Sequence, residues 1–196
     1  MISFLISAIK IIFLLGFLIG IHETGHFLIA KLCKVRVNEF AIGFGPVIWK
    51  KQGKETKYEL RLIPLGGFVN MEGEAEQSEK EGSFTKASIP RRIAIVAAGA
   101  LVNIIFAIIV YFILAMTIRG NITNAVVGNR VLDADNFGNR LYFASYNTKE
   151  FMHSIAESVK QLFTGKVSSA ELVGPVGISE VVAKTNGFRE FIYILA

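Results

Sequence analysis

Two long runs of the chain carry almost no charge. Between residues 2 and 32 the formally charged side chains are Lys10, Glu23 and Lys31, and between 93 and 118 there are none. A helix needs roughly 20 apolar residues to cross about 30 Å of hydrocarbon, and both runs exceed that. They predict two transmembrane helices, the first over about residues 3–33. Between them the period changes. Tyr58, Leu60 and Leu62 alternate with Glu59 and Arg61, the period-two pattern of a half-exposed strand. The stretch 36–70, β-branched and aromatic and interrupted by Gly43, Gly45 and Pro46, predicts a small antiparallel sheet, with Gly66 and Gly67 after Pro64 marking a tight turn near its end. Residues 72–83 (EGEAEQSEKEGS) have no apolar period and predict a mobile surface linker.

Beyond the second run, residues 121–146 are polar, with short apolar alternations such as NRLYFAS, and read as an extracytoplasmic segment of weak strand character. Helical spacing returns over 149–163, where Phe151, Ile155, Ala156, Val159, Leu162 and Phe163 share a face. An amphipathic helix on the membrane surface is expected there. The fold class is therefore a polytopic α-helical membrane protein, with transmembrane helices and a small membrane-associated antiparallel β-sheet between the first two. The expected map places the first span at 1–35, the β region at 36–71, a polar loop at 72–90 and the second span at 91–119. A shortened extracytoplasmic segment follows at 120–148, an amphipathic helix with a GPVG sequence at 149–187, and the start of a third span at 188–196.

Composition sharpens this picture. The chain is 52% hydrophobic with a mean hydropathy of +0.48, and those residues are concentrated in the two runs. Residues 1–9 lack the charged start of a secretory signal and the apolar run is too long, with no A-x-A cleavage site at its end, so the first run reads as a retained helix. The single cysteine, Cys33, excludes an internal disulfide and reads as a small apolar packing residue. The net charge of +5 is not a nucleic-acid signal, because the basic residues flank the helices, where they set orientation and touch anionic lipid. Lys50-Lys51 and Arg91-Arg92 lean the stretch between the spans toward the cytoplasm.

The polar residues inside the first run form HETGH, an H-E-x-x-H pattern. Residues four apart share a helix face, so His22 and His26 can present imidazole nitrogens to one ion. Zinc takes such nitrogens, and a catalytic site adds a third protein ligand and a water. Glu23, offset by one position, is placed to act as general base on that water and then as proton donor to a leaving amine. Gly25 is expected to thin the helix where a substrate backbone approaches. Histidines usually satisfy a hydrogen bond and nothing more, but inside a span polar residues are functional by default. In the second run Asn103 and Gly99 share a face. They read equally as a packing contact and as a close helix approach with an amide aimed at substrate. Gly16 and Gly20 read as packing.

HETGH in the first run, PLGGFV before the second, GALVN within it and GPVG-I near the end occur in this order in the bacterial site-2 proteases. The chain resembles that family, and within it the regulator of sigma-E protease (RseP) type. The resemblance implies a multi-pass intramembrane zinc metalloprotease of the bacterial cell membrane that cleaves transmembrane segments of membrane-anchored regulators such as anti-sigma factors. It implies Zn2+ on His22 and His26, Glu23 as catalytic acid and base, and Asn103 beside the substrate. It also places Gly66, Gly67 and Phe68 in a β region that pairs with extended substrate. The family's third zinc ligand is an aspartate in a later L-D-G motif, expected beyond residue 196, since Asp133 and Asp135 lie in the polar segment. A complete PDZ domain does not fit between the second span and Phe151, so a fragment or shortened chain is expected. The rival reading is a catalytically incomplete membrane protein that binds the same substrates without cleaving them. A proton-relay transporter fits less well, because the second run holds no ionisable residue.

Overall fold

The structure, a computed structural model, describes residues 2–117, 125–127, 130–132, 136–164, 181–182, 185 and 187–195. It divides into two compact units, 1–104 and 105–196. The first contains α1 (Ile2–Leu32), the strands β1 (Val37–Gln52) and β2 (Lys57–Met71), and the start of α2 (Ile89–Met116). In α1 and α2 respectively, Leu5–Leu32 and Ile89–Met116 are each 28 residues long and apolar enough to cross a membrane. At 1.5 Å per residue each stretch is about 42 Å long, which exceeds the hydrocarbon thickness.

No proline interrupts α1, and its end is closed by a pair of backbone bonds. The Val35 N–H donates to the Ala30 carbonyl at 2.8 Å and the Lys34 N–H to the Lys31 carbonyl at 3.0 Å. This is the Schellman geometry, with Lys34 in the left-handed position (φ 60°) that glycine usually occupies. A side chain there costs roughly 1–2 kcal/mol. The second helix starts with Pro90 in its first turn, where the missing N–H has no intrahelical partner to lose.

The two strands form one antiparallel ribbon, with Val37 paired to Met71 and Gln52 to Lys57. Both strands bend. The tight turn expected at Gly66-Gly67 is absent, because β2 continues through both residues. Gly66 (φ 119°) instead makes an irregularity, as do Gly43 (φ 90°) and Gly45 (φ 80°) in β1. As a result the first half of β1 lies between the two halves of β2, and Ala41 pairs with Phe68 on one side and Glu59 on the other. Residues 67–71 have ladder partners on one side only.

The alternation along β2 holds with its faces inverted. Glu59 is 5% exposed, held by Lys57 at 2.5 Å and Arg61 at 2.7 Å, while Leu62 is 59% exposed. Phe44, Val47, Ile48, Trp49 and Ile63 are exposed with it. The ribbon docks on α1 through Phe27, whose ring lies 5.0 Å from Phe40 and 6.0 Å from Tyr58. Ala30, Val35, Val37, Met71 and Ile95 make the buried core where α1 ends, the ribbon begins and closes, and α2 starts.

The polar stretch after β2 is pinned rather than loose. Glu72 donates its N–H to the Arg36 carbonyl, and its carboxylate accepts from Ser78 at 2.7 Å and Asn38 at 3.1 Å. Thr85 donates to the Gly73 carbonyl at 2.6 Å. Polar side chains that made the stretch look like a linker are its anchors.

In the second unit β3 (Ala125–Val127) and β4 (Arg130–Leu132) pair antiparallel, and α3 runs over Phe137–Phe163. That helix begins 12 residues before the position expected from periodicity, within the stretch read as weak strand. Asn136 caps it, its side chain accepting from the N–H groups of Gly138 (2.8 Å) and Asn139 (3.4 Å). Phe151 stacks on Tyr111 of α2 with centroids 4.4 Å apart. A short helix α4 covers Phe188–Leu195. Asp133, Asp135 and the GPVG sequence lie outside the described residues.

Candidate metal centre

His22 and His26 sit one turn apart on α1, and their rings meet edge to face with centroids 4.8 Å apart. The two Nε2 atoms are 3.1 Å from each other. On the far side of its ring, His26 Nδ1–H donates to the carbonyl of Ile95 on α2 at 2.7 Å. With Nδ1 carrying the proton, the Nε2 of the neutral ring is a lone pair directed at the Nε2 of His22. Two lone pairs so close repel unless a proton or a cation lies between them. Two nitrogens bound tetrahedrally to one zinc at 2.0–2.1 Å would be about 3.3 Å apart, so the pair fits a metal.

Glycines make the arrangement possible. A Cβ on Gly99 of α2 would lie 2.5 Å from His26 Nε2 and 2.6 Å from both Nε2 and Cε1 of His22. A Cβ on Gly25 would lie 2.7 Å from the Ala98 carbonyl oxygen. The backbone that Gly25 admits is thus that of α2, not that of a substrate as expected. The carbonyl of Pro64 in β2 lies over Gly16, where a Cβ would come within 2.0 Å, whereas nothing lies within 4 Å of Gly20. Gly67 rests against Glu23, its Cβ position 3.1 Å from Glu23 Cγ.

Glu23 and His26 line a cleft of about 290 Å³ with Gly67, Phe68, Val69 and Glu74 among its other walls. Glu23 is half-buried and has no hydrogen bond or ion pair among the described residues. The structure therefore brings together His22, Glu23, His26, Gly67 and Phe68. Gly66 lies at the bend in β2, where its Cβ would meet the Phe44 ring, and it does not line the cleft. Asn103 is one turn along α2 from Gly99. Its side-chain oxygen is buried without a hydrogen-bond partner among the described residues. Among those residues no third His, Cys, Asp or Glu joins the pair in a metal-binding group. No side chain advertises the Ile95 carbonyl in the sequence, and Glu74 is hidden there among the other acidic residues of 72–83.

Residues 10–196 match the Peptidase family M50. The chain belongs to that family. Among its M50 relatives, a Clostridium acetobutylicum protein carrying the provisional name zinc metalloprotease is 46% identical over 52% of this chain and 30% of its own length. The Regulator of sigma-E protease RseP of Escherichia coli K12 is 43% identical over 58% of this chain and 26% of its own. Protease RseP of Yersinia pestis is 32% identical over 97% of this chain and 44% of its own. This chain spans less than half the length of each of these relatives.

Proposed function

We propose that this M50 chain carries the histidine–glutamate half of an intramembrane zinc endopeptidase. It would be multi-pass in a bacterial cell membrane and act on transmembrane segments of membrane-anchored regulators such as anti-sigma factors. The observation that carries the reading is the convergence of the two imidazole Nε2 atoms at 3.1 Å beside an unpaired Glu23, in a cleft walled by an open strand edge. The apolar exposed surface of the ribbon, with Glu59 turned inward, supports its association with the membrane.

His22 and His26 would hold the ion through Nε2. Zinc bound there supplies Lewis acidity and lowers the pKa of water toward neutrality. The Ile95 carbonyl holds the His26 ring in the tautomer that leaves Nε2 free. A substrate helix must unwind before its amide can be attacked, which strips its backbone of hydrogen bonds. Residues 67–71 can replace those bonds by strand pairing, and this lays the extended segment past Glu23. Glu23 takes a proton from the attacking water and returns it to the nitrogen of the leaving amine. Asn103 offers its unmatched amide to the same segment.

Zinc content and cleavage of a transmembrane reporter test the reading together. His22→Ala and His26→Ala should each lose the metal, and Glu23→Gln should keep it while abolishing cleavage. Zinc retained in both histidine variants would sink the metal assignment. Zinc lost with Glu23→Gln would make Glu23 a ligand. Zinc binding that is weak and substoichiometric, with no cleavage of any transmembrane reporter, would favour the binding-only protein.

A further inference from the structure

Away from the HETGH cleft, a second cavity of about 270 Å³ opens where α1 ends and α2 begins. Lys34, Lys86 and Arg91 line it, together with the buried Ser83 and the exposed Glu81. Lys86 is held by Glu79 at 3.1 Å. Lys34 and Arg91 make no ion pair among the described residues, although the neighbouring stretch carries five glutamates at positions 72, 74, 76, 79 and 81. Two cations thus face a cavity unneutralised with carboxylates close by in sequence. Lys34 also occupies the left-handed cap of α1, where glycine would fit without strain. Backbone strain retained at such a position points to a use for the side chain it carries.

We infer that this cavity binds the head group of an anionic phospholipid. The inference rests on the reading of α1 and α2 as membrane spans. Both helix ends that frame the cavity then lie at one membrane face, where a basic pocket between spans is suited to a phosphodiester. The surrounding surface favours a lipid over a free anion. Leu32 in the last turn of α1 is 76% exposed, and Ile89 and Ile93 flanking Arg91 are 64% and 62% exposed. These side chains offer acyl chains an apolar path leading away from the cations. Inorganic phosphate would gain nothing from them. The two unpaired cations outnumber Glu81, and that carboxylate can accept from the hydroxyls of a glycerol head group.

Titration of the detergent-purified full chain with phosphatidylglycerol, and with phosphatidylcholine bearing the same acyl chains, followed by native mass spectrometry, tests this. One phosphatidylglycerol should be retained per chain, with a preference of about thirtyfold, since two surface cations each contribute a factor of about five. Lys34→Gly should lose about fivefold of that preference while its thermal unfolding temperature stays level or rises, because the cap is relieved. Arg91→Gln should lose a similar factor, and Lys51→Gln, on the ribbon, none. Equal binding of the two lipids, or full preference in both Lys34→Gly and Arg91→Gln, overturns the site. Displacement of the lipid by millimolar inorganic phosphate reassigns the cavity to a soluble anion and also overturns it. Flotation with carbonate-washed liposomes separates the premises. A wild-type chain that does not float removes the spanning reading, whereas one that floats without lipid preference removes only the site.

Discussion

Replacing Gly99 by alanine is the sharpest test of how the two histidines are held. The new methyl carbon would lie 2.5 Å from His26 Nε2 and 2.6 Å from His22 Nε2. Ordinary contact needs about 3.5 Å, so about 1 Å must be found. The His26 ring cannot swing away freely, because its Nδ1–H is committed to Ile95 at 2.7 Å. Breaking that bond costs about 0.5–1.5 kcal/mol, and forcing the helices apart costs about 1–3 kcal/mol as overpacking. The first route removes about 1 kcal/mol and the second about 2 kcal/mol, which for a chain of this size lowers the unfolding temperature by about 2–8 °C. The same 1 Å displacement at a reacting centre lowers turnover by about a hundredfold. Thermal unfolding in detergent, zinc content and reporter cleavage measure the three consequences. Gly20→Ala is the control. It meets nothing within 4 Å and should leave stability level or raise it by up to about 1 kcal/mol, the gain of alanine over glycine inside a helix. A Gly99→Ala protein that unfolds within about 1 °C of wild type with full zinc would show that the helices are not in this contact.

Acid should loosen the ribbon in a defined window. Hydrogen bonds from Lys57 and then Arg61 lower the Glu59 pKa to about 2, and bonds from Ser78, Asn38 and Lys80 do the same for Glu72. Both pKa values lie below the unfolded value, so their contribution is complete above about pH 4.5 and is lost as pH falls toward about 2. Fluorescence of Trp49, the only tryptophan, should follow that loss; a transition finished above pH 4.5 would remove these carboxylates as its cause. Asn136→Ala should cost about 1 kcal/mol and lower the helical signal of α3, since two N–H groups lose their acceptor. Unchanged circular dichroism on heating would show that the cap is dispensable.

The long elements were readable because each has one dominant signal. α1 and α2 follow from uninterrupted apolar length, and the two-stranded ribbon from β-branched residues between them. What the sequence hid was direction and context. The period of two along β2 does not say which face is buried, and the inward Glu59 becomes sensible only when Leu62 faces a medium other than water. Glycines at 43, 45 and 66 read as breaks, yet in a ribbon they supply the positive φ angles that let strands bend without ending. The start of α3 is hidden because its first turns carry Gly138, Asn139 and Asn147, poor helix formers whose cost is offset by the Asn136 cap and by burial of Ala144. At the site, HETGH advertised His22, Glu23 and His26. The contact that orients His26 is a main-chain carbonyl, and no residue type encodes that.

The half-open ribbon also predicts the kind of molecule that would jam the cleft. Residues 67–71 offer hydrogen-bonding groups on their free side, and a strand presents these to every second residue of whatever lies beside it. Blocking peptides should therefore be extended and short rather than helical. Methylating their backbone nitrogens one at a time should weaken binding at alternate positions and leave the others nearly untouched. A flat response along such a series would mean that the ligand does not lie on the strand edge.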